Sequence, residues 1–390
     1  MTKRDNLLRV LQGQHPAWTP CSLNVGQWYL HHRNFGSLPA ELADTQNHTK
    51  VMRRLDCDLF IRNPAGVLDH LEGAEWHTVT DSGSLGPRTT DTLRTPHGSL
   101  SRLTEQQTQF TSTYAVEDLV KDWAQDRRAY LWFLERLTFT WDRSIFERTL
   151  RLIGDDGVVM ATLLHTPLKR LHIDFGLDGA CLFIVNYPDE AQEICDLYWS
   201  RLWPVIREMA ADPRIECVCF GADNVDSPFY PPGEIVDRYW VRYLRAATDL
   251  LHAHGKRVLV HACGKLHRLM PAFIAAGLDG LDGMAHAPFG DWTVEDAFAM
   301  PRGFIYDGGF SAREQVLMSD DEVRRFYAEF FPRLRGLDSF VFAAACQTAI
   351  TTSWDRIQLV AGLCREYGGR PASNISTGPA EGIASGSNSP

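Results

Sequence analysis

Short, fully apolar runs alternate along this chain with longer amphipathic segments, and the two periods predict its elements. "TKRDNLLRVLQGQ" reads as an opening helix, and "TPCSLNV" after Pro16 as a first strand. A second helix is expected from about Pro39 to Leu55, followed by a strand at "CDLFIR". Between Trp76 and Gln107 the text changes to Thr, Ser, Gly and Pro in short alternations such as "TLRTPHGSLSRLTEQQ", which predicts a β-hairpin excursion. "AVEDLVKDWAQDRRAYLWFLERL" returns to a helical period.

Strand and helix then alternate regularly. "GVVMAT" is a strand and Asp189 to Ala211 a helix; "IECVCFGAD" is a strand and Gly233 to His254 a helix. "KRVLVHA" leads into the helix "KLHRLMPAFIAAG", with Gly277 as its stop. The strands "LDGLDGM" and "GFIYDGG" follow, then the capped helix "SDDEVRRFYAEFFPRL", the strand "SFVFAAAC" and the helix "SWDRIQLVAGLCREYG". Repeated βα units with continuous apolar strands imply a parallel sheet buried on both faces. Seven or eight such units predict an α/β chain folded as a (β/α)8 TIM barrel rather than an open sheet. No GxGxxG or GxxxxGK[ST] follows any strand, which removes support for the nucleotide-binding open sheets. The barrel domain is expected over residues 1–368. Residues 369–390, "GRPASNISTGPAEGIASGSNSP", have almost nothing to bury and read as a disordered tail.

Composition narrows the partners. The 390 residues suit one large barrel or two domains, and the net charge of −10 argues against a nucleic-acid or anionic-membrane surface. No apolar run approaches the roughly 18 residues of a membrane span, and "MTKRDNLLRV" lacks a signal-peptide core, so a cytoplasmic location is expected. The nine cysteines are an odd number, scattered and mostly inside apolar runs. In a reducing compartment such residues are buried small hydrophobes, ligands or nucleophiles more often than disulfides.

The candidate chemistry sits where strands end, because a parallel barrel gathers its βα loops on one face. Asp223 and Asn224 follow "CVCFGA", His261 and Cys263 follow "RVLV", Asp307 follows "GFIY", and Cys346 follows "FVFAAA". One imidazole and two thiols at one rim make a candidate zinc site, with a fourth position left open. The competing reading has His261 capping a strand and both cysteines filling core space. Cys217 and Cys219 precede a strand end and read as core. His31, His32 and Arg33 are expected in a loop beyond the first strand, with Arg33 able to reach a substrate. His165, Trp28 and Tyr230 could line the mouth, although aromatics more often simply pack.

The segment from Gly221 to Met284, with its Asp-bearing strand end, Ser/Pro-rich loop, "HGK" turn, "HACG" strand end and "GLDG" stretch, resembles the central block of the uroporphyrinogen decarboxylase superfamily. "RDNLLRVLQGQHPAWTPCSLNV" also resembles that family's opening helix and first strand. The resemblance implies a (β/α)8 barrel. The decarboxylases carry an arginine-rich "R-Q-A-G-R" motif near the N-terminus, whereas this chain has "NVGQWYLHHRNF" with one arginine, which argues against a porphyrinogen substrate. His261, Cys263 and Cys346 instead match, in type and order, the H-x-C and later Cys of the family's zinc-dependent methylcobamide:thiol (coenzyme M type) methyltransferases. That branch implies zinc, a corrinoid such as methylcobalamin as bound substrate or on a corrinoid protein, and a small thiol or other methyl donor. Asp223 and Asp307 are then the candidate catalytic carboxylates, and Asn224, Tyr230, Trp28, Arg33 and His165 candidate substrate contacts. A lyase or metal-dependent hydrolase, or a corrinoid-binding protein without turnover, are the alternatives. The chain has no D-x-H-x-x-G corrinoid-carrying motif of its own. A homodimer is one expected assembly.

Overall fold

The computed structural model describes residues 1–370 apart from 65, 109–111, 164, 222–228 and 231, and of 63, 64, 312 and 313 the backbone alone. The strands are β1 Leu59–Pro64, β2 Val67–Leu71, β3 Trp76–Ser82, β4 Pro87–Thr95, β5 Gly98–Gln107, β6 Ser112–Glu117, β7 Leu137–Trp141, β8 Gly157–Leu163, β9 Cys217–Phe220, β10 Arg257–His261, β11 Gly280–Ala285, β12 Ile305–Phe310 and β13 Phe340–Ala344. Seven of them form one parallel sheet in the order β1-β8-β9-β10-β11-β12-β13. The sheet curls, and its two edges meet through the segment around Cys21. Ser22 N–H donates to the Phe342 carbonyl at 2.8 Å, Phe342 N–H donates to the Pro20 carbonyl, and Asp58 N–H donates to the Cys21 carbonyl at 2.7 Å. The expected first strand is therefore a single β-bridge to β13. The architecture is compatible with a TIM-like barrel.

Alternating side chains divide each strand between two environments. One set faces outward against the helices. The other set forms an inner cluster of Phe60, Val158, Met160, Cys217, Cys219, Leu259, Ile305 and Val341. Leu7, Val10 and Leu11 of the helix Lys3–Leu11 join that cluster, closing it at the N-terminal end of the strands. Cys217 and Cys219 are thus core residues, as their position before the strand end predicts. Two positions further along four of these strands, the inward residues are Arg62, His261, Asp307 and Ala343. The barrel interior changes from apolar to charged in one step, at the end where βα loops begin.

Several elements differ from the sequence reading. The excursion is a four-stranded antiparallel sheet in the order β3-β4-β5-β6, larger than a hairpin, and β2 pairs separately with β7. The expected helix from Pro39 to Leu55 is broken into a short 3-10 turn, Ala40–Leu42, and a helix, His48–Arg54. His31, His32 and Arg33 lie in a helix, Gly26–Asn34, rather than a loop. That helix buries adjacent Trp28 and Tyr29 instead of an amphipathic stripe, so its sequence carries little helical period. Arg370, read with the tail, is pinned by ion pairs to Asp56 at 3.0 Å and Asp58 at 3.5 Å. Residues 371–390 of the predicted tail lie outside the described residues. No helix among the described residues is long and apolar enough to cross a membrane.

Candidate metal centre

β10 ends on His261, Cys263 follows two residues later, and Cys346 lies two residues past the end of β13. The curl of the sheet brings the three together: one ligand atom from each lies within 4.8 Å of the others, and no other such group of three occurs among the described residues. The Cys346 Sγ to His261 Nε2 distance is 3.8 Å. A tetrahedral zinc with bonds of about 2.3 Å to sulfur and 2.0–2.1 Å to nitrogen needs ligand atoms roughly 3.5–4 Å apart. The donor set and its spacing fit zinc after small adjustments.

The support around these residues was not anticipated from the sequence. His261 and Asp282 are register neighbours on β10 and β11, and Asp282 and Asp307 are register neighbours on β11 and β12. His261 Nδ1–H donates to Asp282 Oδ2 at 3.0 Å, which leaves Nε2 facing Cys346. A carboxylate behind a histidine fixes the ring and its tautomer for metal binding. Arg62 reaches across the barrel from β1 and ion-pairs with the same Asp282 oxygen at 2.6 Å. A β-bulge between Asp282 and Met284 makes this close packing possible. Gly283 there has a φ of +95°, and a Cβ on it would sit 2.6 Å from His261 Cε1. Only glycine meets both conditions.

Electrostatics separate the two carboxyls. Burial works against ionised Asp282, but Arg62 and His261 outweigh it and hold the group below its usual range. Burial and the adjacent Asp282 charge push Asp307 well above the usual carboxylate range. These influences favour the protonated form of Asp307, which shares a side-chain hydrogen bond with Asp282. The hydrogen bond to Cys263, followed by burial, pushes the Cys346 thiol up. Burial lowers the His261 imidazole, yet Asp282 and Cys346 together raise it to about 9.

That last shift has a sign that can be checked. In the metal-free protein the folded state holds the His261 proton more tightly than the unfolded chain, whose imidazole titrates near 6.5. The resulting stabilisation is complete below about pH 6.5 and is lost as pH rises through about 9. Denaturant melts of chelated protein should therefore show stability falling over this window. Metal-loaded protein, whose His261 is already deprotonated, should lack that fall; identical pH profiles in the two forms would refute the assignment.

The remaining sequence candidates are dispersed. Asp223 and Asn224 lie outside the described residues. Trp28 is buried, and its indole N–H donates to the Thr352 carbonyl at 2.8 Å, tying down the loop that carries Cys346. Asn24 helps from the other side, donating to the Cys346 carbonyl at 2.6 Å. Arg33 is exposed, with its nearest acceptor the Gln46 carbonyl at 3.5 Å. His165 follows β8 and donates to the Gly221 carbonyl at 3.2 Å; burial, then Lys169, lowers it to about 4, so it is uncharged. Tyr230 is buried. Of the expected substrate and catalytic residues that are described, Asp307 alone lines the cavity beside the cluster. This cavity has a volume of about 170 Å³ and is walled by Asn24, His48, Arg62, Asp282, Asp307 and Ala343, among others. None of the three candidate ligands lines it, although Asp282, the partner of His261, does; a larger cavity of about 680 Å³ lies elsewhere, between Glu117–Trp123 and the helix Leu177–Asn186.

Comparison with known proteins agrees with this architecture. No family model matches the chain, and no curated protein matches it. Among solved structures, a methyltransferase from Methanosarcina mazei is similar, with a TM-score of 0.58 and 12% identity over 94% of this chain and 99% of that one. A Listeria monocytogenes protein described as a candidate vitamin-B12-independent methionine synthase aligns with a TM-score of 0.41 and 11% identity, over 91% of this chain and 96% of that one. At such identities the first likeness concerns the fold alone.

Proposed function

We propose that this chain is a zinc-dependent methyltransferase of the uroporphyrinogen decarboxylase superfamily, moving a methyl group between a corrinoid and a small thiol or other methyl donor. The observation that carries the reading is the convergence of His261, Cys263 and Cys346 at the strand-end rim, with Asp282 behind the histidine. The name of the Methanosarcina neighbour points the same way. A cytoplasmic location and a separate corrinoid carrier belong to the same proposal.

His261, Cys263 and Cys346 would hold the metal and leave one position for substrate. When bound, zinc supplies the positive charge that keeps a substrate thiol deprotonated near neutral pH. In the transfer a sulfur–carbon bond forms as the cobalt–carbon bond breaks, both electrons of the latter stay on cobalt, and the thiol proton goes to solvent. Asp282 and Arg62 keep the imidazole in one orientation. One observation favours a second reading. Asp307, whose protonated form burial and Asp282 favour, borders the cavity beside the metal cluster, and a lyase or hydrolase would use such a carboxyl as an acid.

An anoxic assay separates the two. With methylcobalamin or a methylated corrinoid protein and a panel of small thiols, the methylcobalamin absorption band should decay and a methyl thioether should appear. The reverse direction is read with Co(I) corrinoid and methoxy or methylamine donors. Turnover should require zinc and vanish in Cys346→Ala. No transfer in either direction by zinc-loaded enzyme supplied with its cognate corrinoid protein would favour the lyase or hydrolase.

A further inference from the structure

Outside the barrel, a cavity of about 220 Å³ is walled by aromatic rings and bordered by buried polar atoms. His286, Trp292, Phe326 and Phe330 form most of the wall, and Asp291 and Arg333 also border it. Trp292 packs on Tyr306 and Phe340, at ring separations of 5.5 and 6.2 Å. Those two residues alternate with the inward-facing Ile305, Asp307 and Val341, so the sheet separates this cavity from the candidate metal centre.

Trp292 is 2% exposed, and its indole nitrogen has no hydrogen-bond partner among the described residues. The same holds for Nδ1 of His286, whose ring stacks on Phe326 at 5.2 Å. Its other nitrogen, Nε2, lies 3.3 Å from Glu314 Oε1. The capping box of the helix Ala312–Leu317 fixes Glu314 there, with Ser311 N–H donating to the other carboxylate oxygen at 2.9 Å. A proton is best held on Nε2, beside this carboxylate, which leaves Nδ1 an acceptor. The wall therefore offers one donor, the indole N–H, and one acceptor. Its charges are already spent. Asp291 Oδ1 accepts from the backbone N–H groups of Leu266 and His267 at 2.6 and 3.0 Å, and Arg333 is paired with both oxygens of Glu295. Buried polar atoms in this state call for a ligand or water.

We propose that this cavity binds a small uncharged phenol, whose ring packs among His286, Phe326 and Phe330 and whose hydroxyl accepts from Trp292 Nε1–H and donates to His286 Nδ1. A hydroxyl both donates and accepts, as this pair of atoms requires. Aromatic walls favour an aromatic ring, offset or edge-on. A cavity of about 150 Å³ can hold benzene, so about 220 Å³ suits one ring and its substituents. The site shares no residue with the candidate metal centre, and it stands or falls independently of methyl transfer.

The test follows phenol, anisole and toluene by ligand-observed NMR titration, with the protein as purified and after chelation. Phenol should bind at least about tenfold more tightly than anisole, which cannot donate, and than toluene, which can neither donate nor accept. The poorer probes leave buried polar atoms of the wall unpaired. Phenol affinity should be the same in both preparations, because a metal takes no part. Trp292→Phe keeps a ring but removes the N–H, and it should abolish the preference for phenol over toluene. Ala287→Phe, at an exposed position of the cavity wall, should weaken all three probes by obstructing entry. Equal binding of the three probes, no binding of any, or a phenol preference that survives Trp292→Phe or vanishes on chelation would overturn the site. If Trp292→Phe does not fold, His286→Phe decides in its place: the ring against Phe326 remains, the acceptor is gone, and phenol should fall to the level of anisole.

Discussion

Replacing Cys346 with alanine should cost the protein its zinc while leaving its fold intact. The residue lies beyond β13 at the rim, only partly buried, so truncation opens no large core cavity. What it removes is one of three ligands, and the remaining His261 and Cys263 must then compete with water and buffer for the metal. Loss of a residue that merely supports a ligand typically costs 10–100-fold in metal affinity, so loss of the ligand itself should exceed about a hundredfold. Competition against a chromophoric chelator reads that change directly, and far-UV circular dichroism should match the parent. Cys263→Ala should behave alike. Full zinc occupancy in both variants would mean that the thiols are packing residues and the cluster is coincidental.

Asp282→Asn should have the largest effect of any substitution outside the ligands. Asparagine keeps the shape and one acceptor oxygen, so His261 Nδ1–H can still be satisfied, but the charge that neutralises Arg62 is gone. Breaking one side of a buried ion pair costs about 3–5 kcal/mol because the surviving charge is stranded. Zinc affinity should fall as well, by about 10–100-fold, since the ring behind the metal loses its anionic anchor. The double variant Arg62→Met/Asp282→Asn strands no charge and should recover much of the lost stability. Denaturant melts of the two singles and the double form a cycle whose coupling energy should be at least about 1 kcal/mol. Strict additivity would show that the Arg62–Asp282 contact does not hold the site together.

The three candidate ligands were legible in the sequence because they sit in or just beyond strand ends, and strand ends are where a parallel barrel exposes side chains to one shared space. "RVLVHAC" and "FVFAAAC" need only the periodicity of a buried strand to place their final residues. Arg62 and Asp282 were not legible in this way. Asp282 lies inside the apolar-looking run "LDGLDGM", and its meaning depends on register with His261 and on a partner, Arg62, four positions away in the sheet order. Period 2 alone could have flagged both residues, since each lies two positions beyond an inward-facing one, Phe60 or Gly280. Which alternate set faces inward becomes clear only when the sheet curls. The helix Gly26–Asn34 was missed for a different reason. It packs Trp28 against Trp354 at a ring separation of 5.7 Å and supports the Cys346 loop, so its burial follows that loop rather than a helical stripe. The strands β3 to β6 were foreshadowed by alternating Thr and Ser, but the number of strands in an exposed antiparallel sheet is set by turns that such a composition marks poorly.

Zinc X-ray absorption on the protein as purified tests the central claim most directly. A centre built from His261, Cys263 and Cys346 predicts a first shell with two sulfurs at about 2.3 Å and one imidazole nitrogen at about 2.0–2.1 Å, with one further light atom. Cys346→Ala, reloaded with zinc, should retain at most one sulfur. Protein that carries no zinc, or a first shell made only of oxygen and nitrogen, would contradict the account.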